Sequence, residues 1–251
     1  MVKNSTKRPV VMTIAGSDSG GGAGIQADLK AFTALGAFGT SAITCLTAQN
    51  PSEVRGILPI TPTMVTLQVE TICAFFRVAA AKTGMLYSVA IIEAVARTIK
   101  RRRIPWLVVD PVMIATSGAR LLRRDAERAL CNRLLPLADV ITPNLPEAEA
   151  LCGHAIDDLR DMESAAQEIG ARYRAACVVK GGHLPGQTVT DVLYHSGRIY
   201  AFRSARLRVS THGTGCLFSA ALTALLARDL DLPDAVNGAK HYVHGVLKRQ
   251  L

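Results

Sequence analysis

Short apolar segments alternate with longer amphipathic segments almost from end to end of the chain. The β-branched segment Val10–Ala15 runs into glycines, and Gly24–Leu35 then places Ile25, Leu29 and Phe32 on one helical face. Because strands joined through helices lie parallel in one sheet, this order predicts a mainly parallel sheet covered by helices on both faces. The other predicted strands are Ala42–Leu46, Ala79–Lys82, Leu107–Val109, Asp139–Thr142 and Cys177–Val179, and the other predicted helices are Pro62–Phe76, Val89–Arg102, Arg124–Leu135, Pro146–Cys152, Glu163–Arg174, Leu217–Ala227 and Asp234–Leu247.

One passage breaks this repeat. Thr190–Tyr194 and Ile199–Phe202 are short segments separated by turn residues, which is typical of an antiparallel hairpin, and we expect it at the edge of the sheet. The predicted fold class is therefore α/β, with a mainly parallel central sheet and a short antiparallel edge hairpin. We expect residues 1–251 to form a single domain, in which residues 1–9 are a flexible basic N-terminus.

Composition narrows the classes of function. The sequence has 29 Lys and Arg against 20 Asp and Glu, a formal net charge of +9, which favours phosphate-bearing ligands. Only 5% of the residues are aromatic, and the basic clusters lie without interleaved aromatics on or just after predicted helices, so nucleic-acid binding is not expected. Charges such as Glu93 and Arg97 interrupt the apolar segments, so no membrane span is expected. Six widely spaced cysteines without a CxxC pair, and no apolar leader, indicate a reducing cytoplasm.

The first glycine-rich segment, Gly16–Gly24, follows the first predicted strand and has five glycines in nine residues. Such a segment lets the backbone approach a ligand closely. A Gly-x-Gly-x-x-Ala pattern that starts at Gly22 resembles the dinucleotide fingerprint, but six residues separate it from the end of the strand at Ala15. The second predicted strand also lacks the acidic residue that this fingerprint requires. A nicotinamide-dependent dehydrogenase is therefore disfavoured.

The second glycine-rich segment, Thr211-His212-Gly213-Thr214-Gly215-Cys216, opens a long apolar helix. Its glycines allow backbone amides to converge, and the positive end of the helix points at the same place. We therefore predict an anion-binding hole here. Cys216 lies in the first turn of the helix, where we expect the pKa of its thiol to fall.

Polar residues follow several of the predicted strands. In open parallel sheets, ligands bind beyond these carboxyl ends. Asp110 is suited to orient a cation or a phosphate-binding water, or to cap its turn. Asn144 and Glu147 lie three apart, so they are suited to hold hydrated Mg²⁺ or to cap a helix. Gln49 can bond the edge of a heteroaromatic ring or serve as a loop amide, and Lys180 offers a cation beside a glycine turn.

Eight motifs, in this order, resemble those of the hydroxymethylpyrimidine and phosphomethylpyrimidine kinases of thiamin biosynthesis, within the ribokinase-like superfamily. Each motif alone is weak, and the ordered set is specific. The resemblance covers the chain from about Val10 to the last helix, and its motifs are Thr13–Asp18, Gly21–Lys30, Thr47–Asn50, Lys82–Leu86, Asp110–Met113, Thr142–Ala148, Lys180–His183 and Thr211–Cys216.

The resemblance implies a three-layer α/β/α ribokinase-like fold and a homodimer. It implies ATP-dependent phosphorylation, with Mg²⁺, of 4-amino-5-hydroxymethyl-2-methylpyrimidine and then of its monophosphate. Cys216, Gly213 and Gly215 would be catalytic, and Cys216 would stand where many relatives have an aspartate base. The implied substrate residues are Gln49, Asp28, Ala23, Gly16, Met85 and Val112, the nucleotide residues are Lys180, Thr211, Gly213, Thr214 and Asn144, and the metal residues are Asp110 and Glu147.

The sequence departs from the family pattern at two positions that lie next to these motifs. Gly20 stands where relatives usually have a small hydroxylic residue, and Leu217 follows Cys216 where relatives often have threonine. Two alternatives also fit the motifs: a pyridoxal kinase of the same superfamily, whose substrate is likewise a ring hydroxymethyl, and a binding protein that keeps the pocket without catalysis.

Overall fold

The computed structural model describes residues 8–115, 118–207 and 213–249. Within these residues the strands form one nine-stranded sheet in the order β3-β2-β1-β4-β5-β6-β7-β8-β9. Pairing is parallel from β2 through β1 to β7 and antiparallel in β2–β3, β7–β8 and β8–β9. The strands are β1 Val10–Asp18, β2 Phe38–Asn50, β3 Glu53–Pro59, β4 Val78–Thr83, β5 Leu107–Val109, β6 Val140–Ile141, β7 Ala176–Val179, β8 Thr188–His195 and β9 Arg198–Ala205.

Helices cover both faces of this sheet, which confirms the predicted three layers. One layer contains α1, α7 and α8, which pack on one another in the order α1–α7–α8, and the other contains α2 to α6. The helices are α1 Gly24–Ala34, α2 Pro62–Phe75, α3 Val89–Arg102, α4 Glu127–Ala129, α5 Leu145–Cys152, α6 Leu159–Tyr173, α7 Thr214–Leu226 and α8 Leu232–Lys248.

Alternation along the short strands divides the core between the two faces. In β5, Leu107 and Val109 pack with the α2–α6 layer, whereas Val108 packs with α7 and α8. All three are fully buried, as expected for parallel strands covered on both sides. Side chains at every second position therefore point toward α1, α7 and α8, and this periodicity continues into the residues that follow each strand.

The structure differs from the prediction in two elements. The predicted helix Arg124–Leu135 is irregular: α4 is flanked by a 3₁₀ turn before it and by a wide π turn, Leu130–Leu134, after it. Pro136 then lies in a further 3₁₀ turn, because proline cannot donate the backbone bond that would continue a regular helix. The second difference is β3, which pairs with β2 to form a second antiparallel hairpin that the alternation pattern did not predict.

The predicted hairpin near the end of the chain is confirmed as β8 and β9, and it lies at the edge of the sheet. Among the described helices, none has an apolar stretch long enough to cross a membrane.

Candidate active site

The candidate site lies at the carboxyl ends of the parallel strands, where the two glycine-rich segments meet. A side chain at Gly213 would overlap the carbonyl oxygen of Gly22, and one at Gly24 would overlap that of Gly16. Gly213 also has a left-handed φ of 78° at the start of α7, which favours glycine. The turn after β1 and the start of α7 are thus in backbone contact. Thr214, Gly215 and Cys216 form the first turn of α7 beside this contact.

Asp18 organises the first glycine segment, a role that the sequence analysis did not assign. Its Oδ1 accepts from the Gly20 N–H at 2.8 Å, and its Oδ2 accepts from the N–H groups of Gly22 and Ala23 at 3.0 and 2.8 Å. The side chain is almost fully buried. Because a carboxylate that accepts several backbone N–H groups fixes their directions, Asp18 shapes the turn that precedes α1. An acidic residue inside a glycine run was the sequence signal for this role.

A fully buried ion pair joins α1 to β4. The Lys82 Nζ lies 2.6 Å from the Asp28 Oδ1, both side chains have no exposed surface, and the Thr13 hydroxyl donates to the Asp28 Oδ2 at 2.6 Å. Burial raises the pKa of the Asp28 carboxyl, although Lys82 opposes the shift. Burial alone would lower the pKa of Lys82, but the negative charges of Asp28 and its neighbours raise it.

This geometry changes the role expected of Asp28. The resemblance implied a substrate contact, but the carboxylate lies beneath the site surface and both of its oxygens are bonded to protein groups. The Asp28 carboxylate therefore holds the Lys82 ammonium group in place. The sequence analysis placed Lys82 in a motif but gave it no role of its own. Lys82 lies two residues after the buried Ala80, on the same face of β4. This spacing was the signal that the Lys82 side chain is buried.

Cys216 lies in the first turn of α7, next to the contact between Gly213 and Gly22. Desolvation by the surrounding protein raises the pKa of this thiol to about 11, despite the opposing effects of Lys82 and the Gly24 N–H. The expectation that the helix N-terminus lowers this pKa is therefore wrong. The loss of hydration, which disfavours the thiolate, exceeds the favourable interactions, so the group is a neutral thiol near pH 7.

Asp110 and Lys180 form a second, largely buried pair beside the first turn of α7, with side-chain exposures of 2% and 13%. The Lys180 Nζ donates to the Asp110 Oδ1 at 2.9 Å, and it would lie 3.3 Å from a Cβ at Gly215. Hydroxyl groups of Thr142 and Ser219 donate to the same carboxylate at 3.3 and 2.9 Å. The structure thus joins β5, β7 and α7 at one point. The contribution of Ser219 was not predicted, because nothing local in the sequence places α7 over β5.

Asn144 and Glu147 form a capping box at the start of α5. The Asn144 Oδ1 accepts from the Glu147 N–H, and the Glu147 Oε2 accepts from the Asn144 N–H, both at 2.9 Å. Burial raises the pKa of Glu147 to about 7, and Asp110 adds to the shift while Lys180 opposes it. Both residues therefore cap α5, and Asn144 also bridges to Lys180 along the backbone.

The metal assignment of Asp110 and Glu147 can be tested against this chemistry. Across the described ranges no three His, Cys, Asp or Glu side chains form a metal-ligating group, so these two carboxylates do not belong to a complete direct site. Both are close enough to interact electrostatically, and each oxygen that accepts one N–H or hydroxyl bond retains a lone pair. Mg²⁺ usually keeps several of its waters in kinase sites. Asp110 and Glu147 therefore fit a Mg²⁺ ion that they would hold through its bound waters.

The predicted pyrimidine residues surround the other side of the glycine turn. The Gln49 backbone is bonded to Ser19, whose hydroxyl accepts from Gln49 N–H at 2.8 Å and donates to Gln49 C=O at 2.7 Å. The Gln49 side chain accepts from the Thr47 hydroxyl at 3.2 Å. Met85 packs against Gly16. Met85 also belongs to a small apolar cluster with Val112 and with Cys45, Leu121, Val54 and Ile57.

The structure therefore brings together most of the implied site residues that it describes. Gly16, Met85 and Val112 lie on the side of Gln49, whereas Ala23 lies against Gly213 and the Lys180–Asp110 pair lies beside α7. The unpredicted strand β3 adds Val54 and Ile57 to the apolar cluster. Thr211 lies outside the described residues, so its assignment to the nucleotide stays a prediction.

Comparison with known proteins identifies the family. The family model described as phosphomethylpyrimidine kinase matches residues 18–251. The chain belongs to this family. It is 48% identical over 246 residues to the hydroxymethylpyrimidine/phosphomethylpyrimidine kinase of Haemophilus influenzae, covering 96% of this chain and 91% of that protein.

Solved structures agree with this assignment. The phosphomethylpyrimidine kinase of Clostridium difficile superimposes with a TM-score of 0.85 at 38% identity, over 95% of this chain and 99% of that chain. The pyridoxal kinase of Staphylococcus aureus, in complex with AMP-PCP and pyridoxal, superimposes with a TM-score of 0.87 at 33% identity, over 96% and 88% of the two chains. The ribokinase-like fold and the phosphotransferase class expected from the motifs are confirmed.

Proposed function

We propose that this kinase transfers the γ-phosphoryl group of ATP to the hydroxymethyl group of 4-amino-5-hydroxymethyl-2-methylpyrimidine, and then phosphorylates the monophosphate. The observation that carries the proposal is the contact between the two glycine segments, with Cys216 and Lys180 beside it. Convergent backbone amides and ammonium groups suit a group whose negative charge must be stabilised during transfer. The similarity to a kinase solved with AMP-PCP supports ATP as the donor.

On the substrate side, the Gln49 side chain would bond the aminopyrimidine edge, and Met85 and Val112 would pack on its ring. The apolar cluster behind these residues excludes water from that face. Gly16 and Ala23 let the ring approach the backbone. Asp28, below the surface, would act through Lys82 by holding its ammonium group in place.

On the phosphate side, the N–H groups of Gly213, Gly215 and Cys216 would stabilise the transferring group, with Thr214 and Lys180 beside the nucleotide. The hydroxymethyl oxygen forms the new bond to phosphorus, the bond from phosphorus to the ADP oxygen breaks, and the hydroxyl proton leaves. When bound, Mg²⁺ would neutralise phosphate charge, with Asp110 and Glu147 holding its waters.

The proton of the hydroxymethyl group does not require a strong base. With a pKa of about 11, roughly one Cys216 in 3000 is a thiolate at pH 7.5. A loose phosphoryl-transfer transition state develops little demand for proton removal. Cys216 would therefore act mainly by accepting a hydrogen bond and orienting the hydroxyl, and only its minor thiolate form would act as a base.

A coupled ADP-release assay over three substrates tests the proposal. We expect turnover with hydroxymethylpyrimidine and with its monophosphate. The similarity to a pyridoxal kinase makes pyridoxal the second candidate, and turnover of pyridoxal alone would replace the proposed substrate. Tight pyrimidine binding without ADP release would instead indicate a non-catalytic binding protein.

Two further predictions concern the molecule as a whole. We infer a homodimer from the family resemblance, and size-exclusion chromatography with light scattering measures it directly. We infer a cytoplasmic location from the absence of CxxC pairs and from the free state of all six cysteines. Fractionation of the source cells tests that location.

A further inference from the structure

A third buried ion pair lies outside the site described above, between the last helix and the antiparallel edge of the sheet. The Lys240 Nζ of α8 lies 2.7 Å from the Asp191 Oδ2 of β8, and the two side chains are 7% and 8% exposed. The alternation along β8 explains the placement, because Asp191 lies two residues before the buried Leu193, which packs toward α8.

The other oxygen of the same carboxylate reaches toward the site. The Gly181 N–H donates to the Asp191 Oδ1 at 2.9 Å. Gly181 is pressed against β8 so closely that a side chain would overlap the Thr190 carbonyl oxygen. Asp191 therefore connects α8 to the turn that directly follows Lys180.

Two further contacts hold Lys180 from its other side. Its N–H donates to the Pro143 C=O at 2.9 Å, and its ammonium group donates to Asp110. The rest of the turn is held by Arg206, whose guanidinium donates to the carbonyls of Gly182, Leu184 and Gly186. The buried pair of Asp191 and Lys240 contributes one contact to this turn, the hydrogen bond from the Gly181 N–H to Asp191.

Burial of an ion pair is a weak way to stabilise a fold, because desolvation offsets the attraction between the charges. The surroundings of Asp191 and Lys240 are apolar: Ala235, Val236 and Ala239 of α8 pack on the sheet next to them. An apolar pair would serve packing as well. What the carboxylate adds is an acceptor in a fixed position for one backbone N–H.

We propose that Asp191 and Lys240 are positioning residues for nucleotide binding: Lys240 orients the Asp191 carboxylate, and Asp191 fixes Gly181 and thereby the Lys180 ammonium group. This inference rests on the proposed function, which places Lys180 beside the nucleotide. Neither residue contacts the reacting atoms, so the effect should fall on nucleotide affinity and not on pyrimidine affinity.

Two double variants that differ only in the acceptor test the proposal. Asp191→Val with Lys240→Met removes both charges and the acceptor. Asp191→Asn with Lys240→Met removes both charges but keeps an amide oxygen for Gly181. Because neither variant leaves a buried unpaired charge, both are expected to fold. The valine variant leaves the buried Gly181 N–H without its acceptor, so its urea midpoint should lie below that of the asparagine variant.

The measurements are calorimetric Kd values for ADP and for hydroxymethylpyrimidine, together with hydrogen exchange of the Gly181 amide. We expect the valine variant to raise the Kd for ADP about tenfold, to change the pyrimidine Kd less than twofold, and to accelerate Gly181 exchange. We expect the asparagine variant to stay within about threefold of the wild type in ADP affinity, with a protected Gly181 amide.

Equal ADP affinity and equal Gly181 exchange in the wild type and the valine variant would overturn the positioning role. So would a loss of ADP affinity in both double variants with Gly181 still protected, because the acceptor would then be irrelevant. A wild-type chain that does not bind ADP would contradict the proposed function instead, and the exchange of Gly181 would still decide whether Asp191 fixes the turn.

Discussion

The buried pair of Asp28 and Lys82 permits a quantitative prediction. Replacing Lys82 with methionine keeps most of the side-chain volume but leaves the Asp28 carboxylate without its charged partner, at a position with no solvent exposure. Breaking a buried pair from one side costs about 3–5 kcal/mol. For a chain of this size each kcal/mol lowers the melting temperature by roughly 2–4 °C. We therefore expect Lys82→Met to melt about 6–20 °C below the wild type.

The cause of this loss can be isolated in a double-mutant cycle. Asp28→Asn keeps an oxygen that can accept from the Thr13 hydroxyl, whose bond to Asp28 is 2.6 Å long, but it removes the charge. Combining it with Lys82→Met leaves no buried charge at either position. The double variant should therefore recover much of the stability that each single variant loses, with a coupling of at least about 2 kcal/mol.

Urea unfolding of the four proteins, followed by far-UV circular dichroism, measures the cycle. Arg97→Met is the matched control, because its partner Glu93 is 3.7 Å away and both side chains are well exposed; it should cost at most about 1 kcal/mol. If the losses of the two single variants add to within about 0.5 kcal/mol, the charges are not coupled and our account of this pair is refuted.

Three other changes test separate parts of the site. Cys216→Ala should lower kcat far more than pyrimidine affinity, and unchanged turnover would remove the thiol from the mechanism. The alkylation rate of the Cys216 thiol, taken as the difference between the wild type and this variant, should rise with pH up to about 11. Gln49→Ala should raise the pyrimidine Kd about tenfold, roughly 1.4 kcal/mol, whereas an unaltered Kd in calorimetry would show that this amide does not bind the ring. The pKa of Glu147 is raised above its unfolded value of 4.5 to about 7, so its contribution to stability is present below pH 4.5 and is lost as pH rises through 7. The wild type should thus lose up to about 3 kcal/mol of unfolding free energy across this window relative to Glu147→Gln, and parallel pH profiles of the two proteins would contradict that assignment.

Much of the architecture was predictable because local patterns specify it. Strand β5 and helix α3 begin and end where the alternation and the helical periodicity place them, and the antiparallel edge hairpin was identified from its turn. Strand β3 was missed because it is largely exposed. An edge strand with little buried surface leaves only a weak alternation of apolar and polar residues.

The motifs also identified the family and the edge of the sheet at which the site lies. The order of the motifs along the chain was enough to locate the site, because most of the motifs lie at or just after the end of a strand and the carboxyl ends of adjacent parallel strands lie at the same edge of the sheet. The roles of single residues were less accessible. Asp28 was expected to contact the substrate, yet it is buried against Thr13 and Lys82, which are neighbours only because β1 and β4 pair in that register.

The sequence by itself determined the elements, their order and the family, because periodicity, glycines and motifs act over short stretches of chain. Only the tertiary structure decided which polar groups meet. Asp110 with Ser219, and Asp191 with Lys240, are 109 and 49 residues apart in the chain. It also decided the direction in which the pKa of Cys216 shifts, since desolvation depends on everything that packs around a sulfur atom and not on the residues beside it in sequence.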